Sequence, residues 1–321
     1  MENLAFSLNA TMPIFLTMLL GYVFRKTGVI SEAFSASLNK FVFRVALPVM
    51  LFQDLSTQDF FTFWNGRYVL FCIISSILSV LLVWLIGRLL VKDKALRGEF
   101  IQAGYRSSAA ILGFAFIQNI YGQGNTGLAP LMILGSVPIY NIAAVVVLAL
   151  TANSPDGGTS GLDAALMKKT VRNIVSNPII IGILVGLLWS LLRIPQHKIF
   201  STTIRNLSVL ATPLGLIAIG AGFDPQKAGK SLGLAGVAAF IRLIGLAAVF
   251  LPVVVFLGFR GQELVALIVM FASATAVSSY VMSINMGHDG ALTASAVMLT
   301  TFFCSFTLAF WLWLLKTLGY V

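Results

Sequence analysis

The chain has 321 residues, of which 58% are hydrophobic and 10% charged, and its formal net charge is +10. Soluble domains carry about a quarter charged residues, so a mean hydropathy of +0.95 excludes a soluble globular protein and predicts a polytopic membrane protein. The long apolar runs also exclude an outer-membrane barrel, whose strands would be short and alternating.

A spanning helix needs ~20 mainly apolar residues. Ten such stretches follow one another, at roughly 4–24, 34–54, 66–87, 99–120, 127–150, 175–193, 203–222, 231–257, 262–285 and 291–315. The first lacks a basic leader and a small-residue cleavage site and reads as a retained helix. Span two contains KFVFRVALPVMLFQDL (40–55), with Lys40 and Arg44 on one helical face and Pro48 one turn later. A cation at mid-bilayer costs ~2.5–3.5 kcal/mol on insertion scales. Lys40 lies near the inner end and is expected to snorkel, while the deeper Arg44 is expected to meet a protein partner or a cavity. Asp54 reads as the outer end of the span, and Glu99 as the start of span four.

Span four contains YRSSAAILGFAFIQNIYG (105–122), in which Arg106 precedes Ser107 and Ser108. Arg106 either attracts a carboxylate or anchors the helix to a carbonyl. In span five, Pro138 frees a carbonyl, and Asn141 either donates to a substrate or makes an interhelical hydrogen bond, worth ~0.6 kcal/mol on average. Residues 151–173, Gly/Ser/Pro-rich and then basic, read as a cytoplasmic linker. Arg242, about a third of the way into span eight, is expected to serve an Asp or helix-end carbonyls. Span nine contains FASATAVSSYVMSINMG (271–287). His288 and Asp289 follow in a loop and are expected to be solvated. Cys72 and Cys304 fall within spans and suggest neither a disulfide nor a metal site.

With the N-terminus outside, inner segments hold eleven cations, among them Arg25, Lys26, Lys94, Arg97 and Lys168, against five in outer segments. The positive-inside rule then places both termini outside, in a bacterial plasma (inner) membrane. Acidic residues fall mostly in loops or at span ends, so the intramembrane balance is cationic and favours an anionic cargo.

A shift of 165 residues superposes Pro13 on Pro178, Gly21 on Gly186, Pro48 on Pro213, Lys40 on Arg205 and Ser108 on Ser273. Five spans per half is an odd number, so the second half enters the membrane upside down. Inverted repeats are typical of secondary transporters, with substrate held near the midplane. The expected organisation is 1–150 as the first five-helix repeat, 151–173 as linker and 174–321 as the second. Spans four and nine, superposed and dense in Ser, Gly and Ala, are expected to cross and partly unwind there. Broken helices offer free N–H groups and positive dipole ends to an anion. The candidate substrate-binding set is Arg106, Ser107, Ser108, Asn141, Ser273, Thr275 and Ser278, with Pro48, Pro213 and Gly113 as structural hinges.

The runs LNKFVFRVALPVMLFQDL, VSNPIIIGILVGLLWSLLRIP, ATPLGLIAIGAGF and ASATAVSSYVMSINMG together resemble the auxin efflux carrier family, which includes bacterial malonate-type carriers and plant PIN proteins. The resemblance implies an all-α, ten-helix inverted repeat akin to sodium/proton antiporters and bile-acid symporters. Spans one, two, six and seven would form a scaffold, also the surface of a homodimer. Spans three to five and eight to ten would form a transport domain, moving organic anions by an elevator mechanism. Family members carry Asn near Ser108 and prolines near Ala115 and Ala274, where this chain has Ser, Ala and Ala. No catalytic set, cofactor or metal site is expected, and the coupling ion, H⁺ or Na⁺, is left open. Two alternatives stand beside this reading: a Na⁺-coupled organic-anion symporter of the bile-acid type, and an intramembrane enzyme or receptor.

Overall fold

The computed structural model describes residues 13, 16–57, 64–109, 128–152 and 176–321. Gly113 and nearly all of the expected linker lie outside the described residues. What is described is helical throughout, apart from one isolated backbone bridge. Helix α1 covers 16–26. Helix α2 (Glu32–Phe41) runs through a π turn (Val42–Ala46) into α3 (Leu47–Ser56). Then come α4 (Gly66–Leu90), α5 (Lys94–Tyr105) and α6 (Ala129–Thr151). The remainder comprises α7 (Pro178–Leu191), α8 (Lys198–Ser208), α9 (Ala211–Gly222) and α10 (Pro225–Phe240). A second π turn (Ile241–Gly245) leads into α11 (Leu246–Phe256), followed by α12 (Gly261–Ala272), α13 (Ser278–Asn285) and α14 (Ala291–Thr317). Among the described residues, six helical segments are long and apolar enough to cross a membrane: Glu32–Ser56, Gly66–Leu90, Ala129–Thr151, Lys198–Gly222, Gly229–Phe256 and Ala291–Thr317.

Local chemistry accounts for several boundaries. Ser31 caps α2 by accepting from the Phe34 N–H at 3.1 Å. Asn177 caps α7, with Pro178 in the first helical position, where its missing N–H does no harm. Pro48 cannot donate to Arg44, and its ring would press on that carbonyl. The chain absorbs this by widening one turn, so that Leu47 N–H bonds back to Val42 C=O and the helix continues. Pro213 has a similar effect, since 209–210 form a turn between α8 and α9.

The first π turn corrects the expectation for Arg44. Val42, Phe43 and Ala46 are buried, whereas Lys40 and Arg44 are both exposed on the outer surface. The widened turn gives its buried side to three apolar residues, and Arg44 is not among the described residues that line the cavity beside the bridge. Two further polar residues sit deeper than expected. Glu99 is buried and accepts from Gly290 N–H at 2.9 Å, Thr293 N–H at 3.0 Å and the Thr293 hydroxyl at 3.0 Å. It thereby caps α14, helped by Gly290 at φ +77°, a conformation suited to glycine. His288 is buried too, with Nε2 3.0 Å from Leu148 O.

Glycines set the closest helix contacts. Helix α3 lies along α7, where a Cβ added at Gly182 would stand 2.9 Å from Pro48 Cα, and one at Gly186 2.9 Å from Phe52 O. The spacing is that of small-residue helix seams in membranes. Helices α1 and α9 meet the same way, a Cβ at Gly21 falling 2.9 Å from Ile217 Cα.

Candidate functional site

Two helices stop where the sequence is richest in small polar residues. Helix α5 ends at Tyr105, α12 ends at Ala272, and α13 begins at Ser278. The stretches between these ends lie side by side as an antiparallel bridge centred on Ser107 and Thr275. Ser108 N–H donates to Ala274 C=O at 2.9 Å and Ala276 N–H to Arg106 C=O at 3.2 Å. Each interrupted backbone thus answers the other, as a buried polar chain must. No proline is involved. Thr275 Oγ1 donates to Ala103 O at 2.8 Å while its N–H donates to Thr300 Oγ1 at 3.0 Å.

On one side of the bridge stands Arg242, presented by the second π turn and wholly buried. Its Nε donates to Ser273 O at 2.8 Å, Nη1 to Tyr105 O at 3.1 Å and Nη2 to Met270 O at 2.5 Å. These carbonyls belong to the C-terminal ends of α5 and α12, so one guanidinium neutralises two negative helix ends. Of the two partners expected for Arg242, the helix-end carbonyls are the ones it meets.

A cavity lies beside the bridge. One wall is the bridge and its surroundings: Arg106, Ser107 and Ser108, Val137, Tyr140 and Asn141 of α6, and Ala276, Val277, Ser278 and Val281. The other wall comes from Val42, α3 (Leu47, Met50, Leu51, Asp54), Ile179 of α7 and α9 (Ala211, Thr212, Gly215). Its volume is about 60 Å³. That is more than the space one water needs, enough to admit a small solute.

Arg106 is buried, donating through Nη2 to Asn141 Oδ1 at 2.5 Å and through Nη1 to Met282 Sδ at 2.7 Å. Asn141 in turn donates to Val137 O at 2.8 Å, which aims its oxygen at the arginine. Both acceptors of Arg106 are neutral. Ser107 Oγ accepts from Ala109 N–H at 3.2 Å, and Ser108 is half-buried on the cavity wall. Five of the seven candidate residues therefore meet here: Arg106, Ser107, Ser108, Asn141 and Ser278. The other two are buried away from the lining. Thr275 is turned to Ala103, and the Ser273 hydroxyl is enclosed without a hydrogen-bond partner among the described residues. Pro48 and Pro213 adjoin the lining residues Leu47 and Thr212.

Sequence reasoning missed the α3–α9 wall, Asp54 above all. As the last acid before a loop, Asp54 reads as a solvated helix end. In the structure α3 packs on α7, and Asp54 lines the cavity opposite the bridge.

Comparison with known proteins agrees with these features. A family model described as membrane transport protein matches residues 6–312. An uncharacterized transporter of Methanothermobacter thermautotrophicus is 22% identical over 306 residues, covering 95% of this chain and 97% of its own. An uncharacterized transporter of Methanocaldococcus jannaschii is 25% identical over 320 residues, covering 96% and 98%. Similarity to transporters along almost the whole length points to transport rather than catalysis. The chain belongs to the membrane transport protein family, the auxin efflux carrier family whose motifs its sequence carries.

Proposed function

We propose that the protein is a secondary transporter for small organic anions, mono- or dicarboxylates, in the plasma membrane, working by an elevator-type movement. The observation that carries this reading is the pairing of 106–108 with 274–276 beside a cavity that holds Arg106. A carboxylate there would meet the guanidinium, the hydroxyls of Ser107, Ser108 and Ser278, and the first turn of α13, whose dipole is positive at that end. Ser273 and Thr275 would hold the crossing together rather than touch the solute.

The internal repeat gains support from packing. Gly21 lies against Ile217, and Gly186 against Phe52. Adding 165 to Gly21 and to Phe52 gives Gly186 and Ile217, so one contact is written twice with its partners exchanged. That is the relation expected between halves inserted upside down to one another. Helices α1–α3 and α7–α9 would then be the scaffold, and the elements around the crossing would slide along it with the solute. The cavity, bounded by α3, α7 and α9 on one side and the crossing on the other, suits such a sliding surface.

Counterflow in proteoliposomes, across a panel of mono- and dicarboxylates, tests the reading. Saturable exchange of at least one of them is expected, without dependence on Na⁺. Its absence in a monodisperse preparation overturns the anion reading, and flux that requires a Na⁺ gradient favours the bile-acid type of symporter instead.

A further inference from the structure

Asp54 lies in α3, within the membrane-length segment Glu32–Ser56, and lines the cavity opposite the crossing. It is half-buried. Among the described residues no cation lies within bonding distance of this carboxylate. Neither α7 nor α9 carries a titratable residue. Helix α8 carries Lys198 and Arg205, the loop before it, whose Gln196 bonds Ser56 at 2.9 Å, carries Arg193 and His197, and the π turn carries Arg44, all exposed. Across the cavity stand Arg106 and the Tyr140 phenol.

Among the described residues that line it, the cavity therefore has one cation and one carboxylate. The cationic balance tallied along the sequence does not describe it. An anion bound at Arg106 would share a confined, weakly screened space with Asp54, where like charges repel strongly. The repulsion vanishes if Asp54 takes a proton from the water that delivers the solute.

Resting on the anion reading above, we propose that transport is proton-coupled and that Asp54 is the proton carrier. One proton adds to the Asp54 carboxylate as the anion binds. The same proton leaves to water when the anion is released on the far side. Proton and anion move in the same direction, and no other reactant is needed.

Full-length protein in proteoliposomes, with the potential clamped by valinomycin and equal K⁺, tests this using labelled lactate and malonate. With the lumen one pH unit more alkaline, one proton per anion supports about tenfold accumulation at steady state. A protonophore should abolish it. In Asp54→Asn the steady-state ratio should fall to about one whatever the rate, and Asp54→Glu should restore accumulation. Because the ratio is an equilibrium property, slow variants remain informative. Counterflow without gradient-driven accumulation in the wild type overturns the coupling and leaves the anion reading standing. Accumulation driven by Na⁺ instead, or retained in Asp54→Asn, also overturns it. Absence of counterflow for every carboxylate removes the anion reading and this inference with it.

Discussion

Replacing Arg242 by methionine tests whether one side chain holds both helix interruptions. Arg242 donates to Ser273 O, Tyr105 O and Met270 O at 2.8, 3.1 and 2.5 Å. A hydrogen bond to a charged group contributes about 1.5–3 kcal/mol, so three give ~4–9 kcal/mol. Burying the guanidinium offsets several kcal/mol of that. Methionine fills similar space but leaves three carbonyls without this donor, at about 1–3 kcal/mol each if no water reaches them. A net loss of about 3–5 kcal/mol follows, comparable with breaking a buried ion pair. At ~2 °C per kcal/mol, toward the large-domain end of the usual scaling, the melting temperature should fall by about 6–10 °C. Fluorescence-detected size-exclusion after heating, in one detergent throughout, reads it. Arg242→Lys keeps the charge with a single nitrogen and should lose about half as much. A methionine variant melting within ~2 °C of the wild type refutes the clamp. Equal losses in both variants would show that donor geometry, rather than charge, holds the crossing.

Arg106→Gln should lower carboxylate counterflow at least tenfold while shifting the melting temperature by less than ~3 °C, because Arg106 meets only two neutral acceptors. Flux near the wild-type rate would remove Arg106 from the binding site. Gly182→Leu puts a Cβ 2.9 Å from Pro48 Cα. Overpacking of this kind typically costs 1–3 kcal/mol, so a drop of about 2–6 °C is expected, and an unchanged melting temperature would mean that α3 and α7 are not in close contact. Glu99→Gln cannot accept through both oxygens from Gly290, Thr293 N–H and the Thr293 hydroxyl. Loss of that cap is worth about 1–2 kcal/mol, or ~2–4 °C, and no shift would show that α14 is capped by something else.

What could be read from the sequence was what depends on composition and local chemistry. Dense Ser, Gly and Ala at 105–109 and 271–279 marked where helices α5 and α12 stop, even though the family's prolines are missing. The exposed backbone there is answered by the partner strand and by Thr275, Thr300 and Arg242. What could not be read depends on neighbours far away in the chain. Arg44 is expected to meet a partner or a cavity because of its depth in the span, whereas it lies exposed on the same side as Lys40, with Val42, Phe43 and Ala46 turned inward. Glu99 and His288 looked like loop-side polar residues until Gly290, Thr293 and Leu148 came within bonding distance. Ser273 and Thr275 belong to the right stretch, yet which way a hydroxyl faces at a helix interruption is decided by the backbone, not by residue type.

Two buried arginines, on opposite sides of one short bridge, suggest how a helix crossing can be both rigid and receptive. Arg242 faces the negative ends of α5 and α12 and is saturated by backbone carbonyls. Arg106 faces the cavity, holds only an amide oxygen and a thioether, and sits near the start of α13. Charge on the first side is consumed by the fold, which fixes the unwound segments without proline. Charge on the second side has only neutral bonded partners and faces a cavity that Asp54 also lines, which is where the proposed solute would sit. On the proposed anion reading, a direct salt bridge between Arg106 and Asp54 would compete with a bound solute, and the structure shows none: Arg106 bonds Asn141 and Met282 instead.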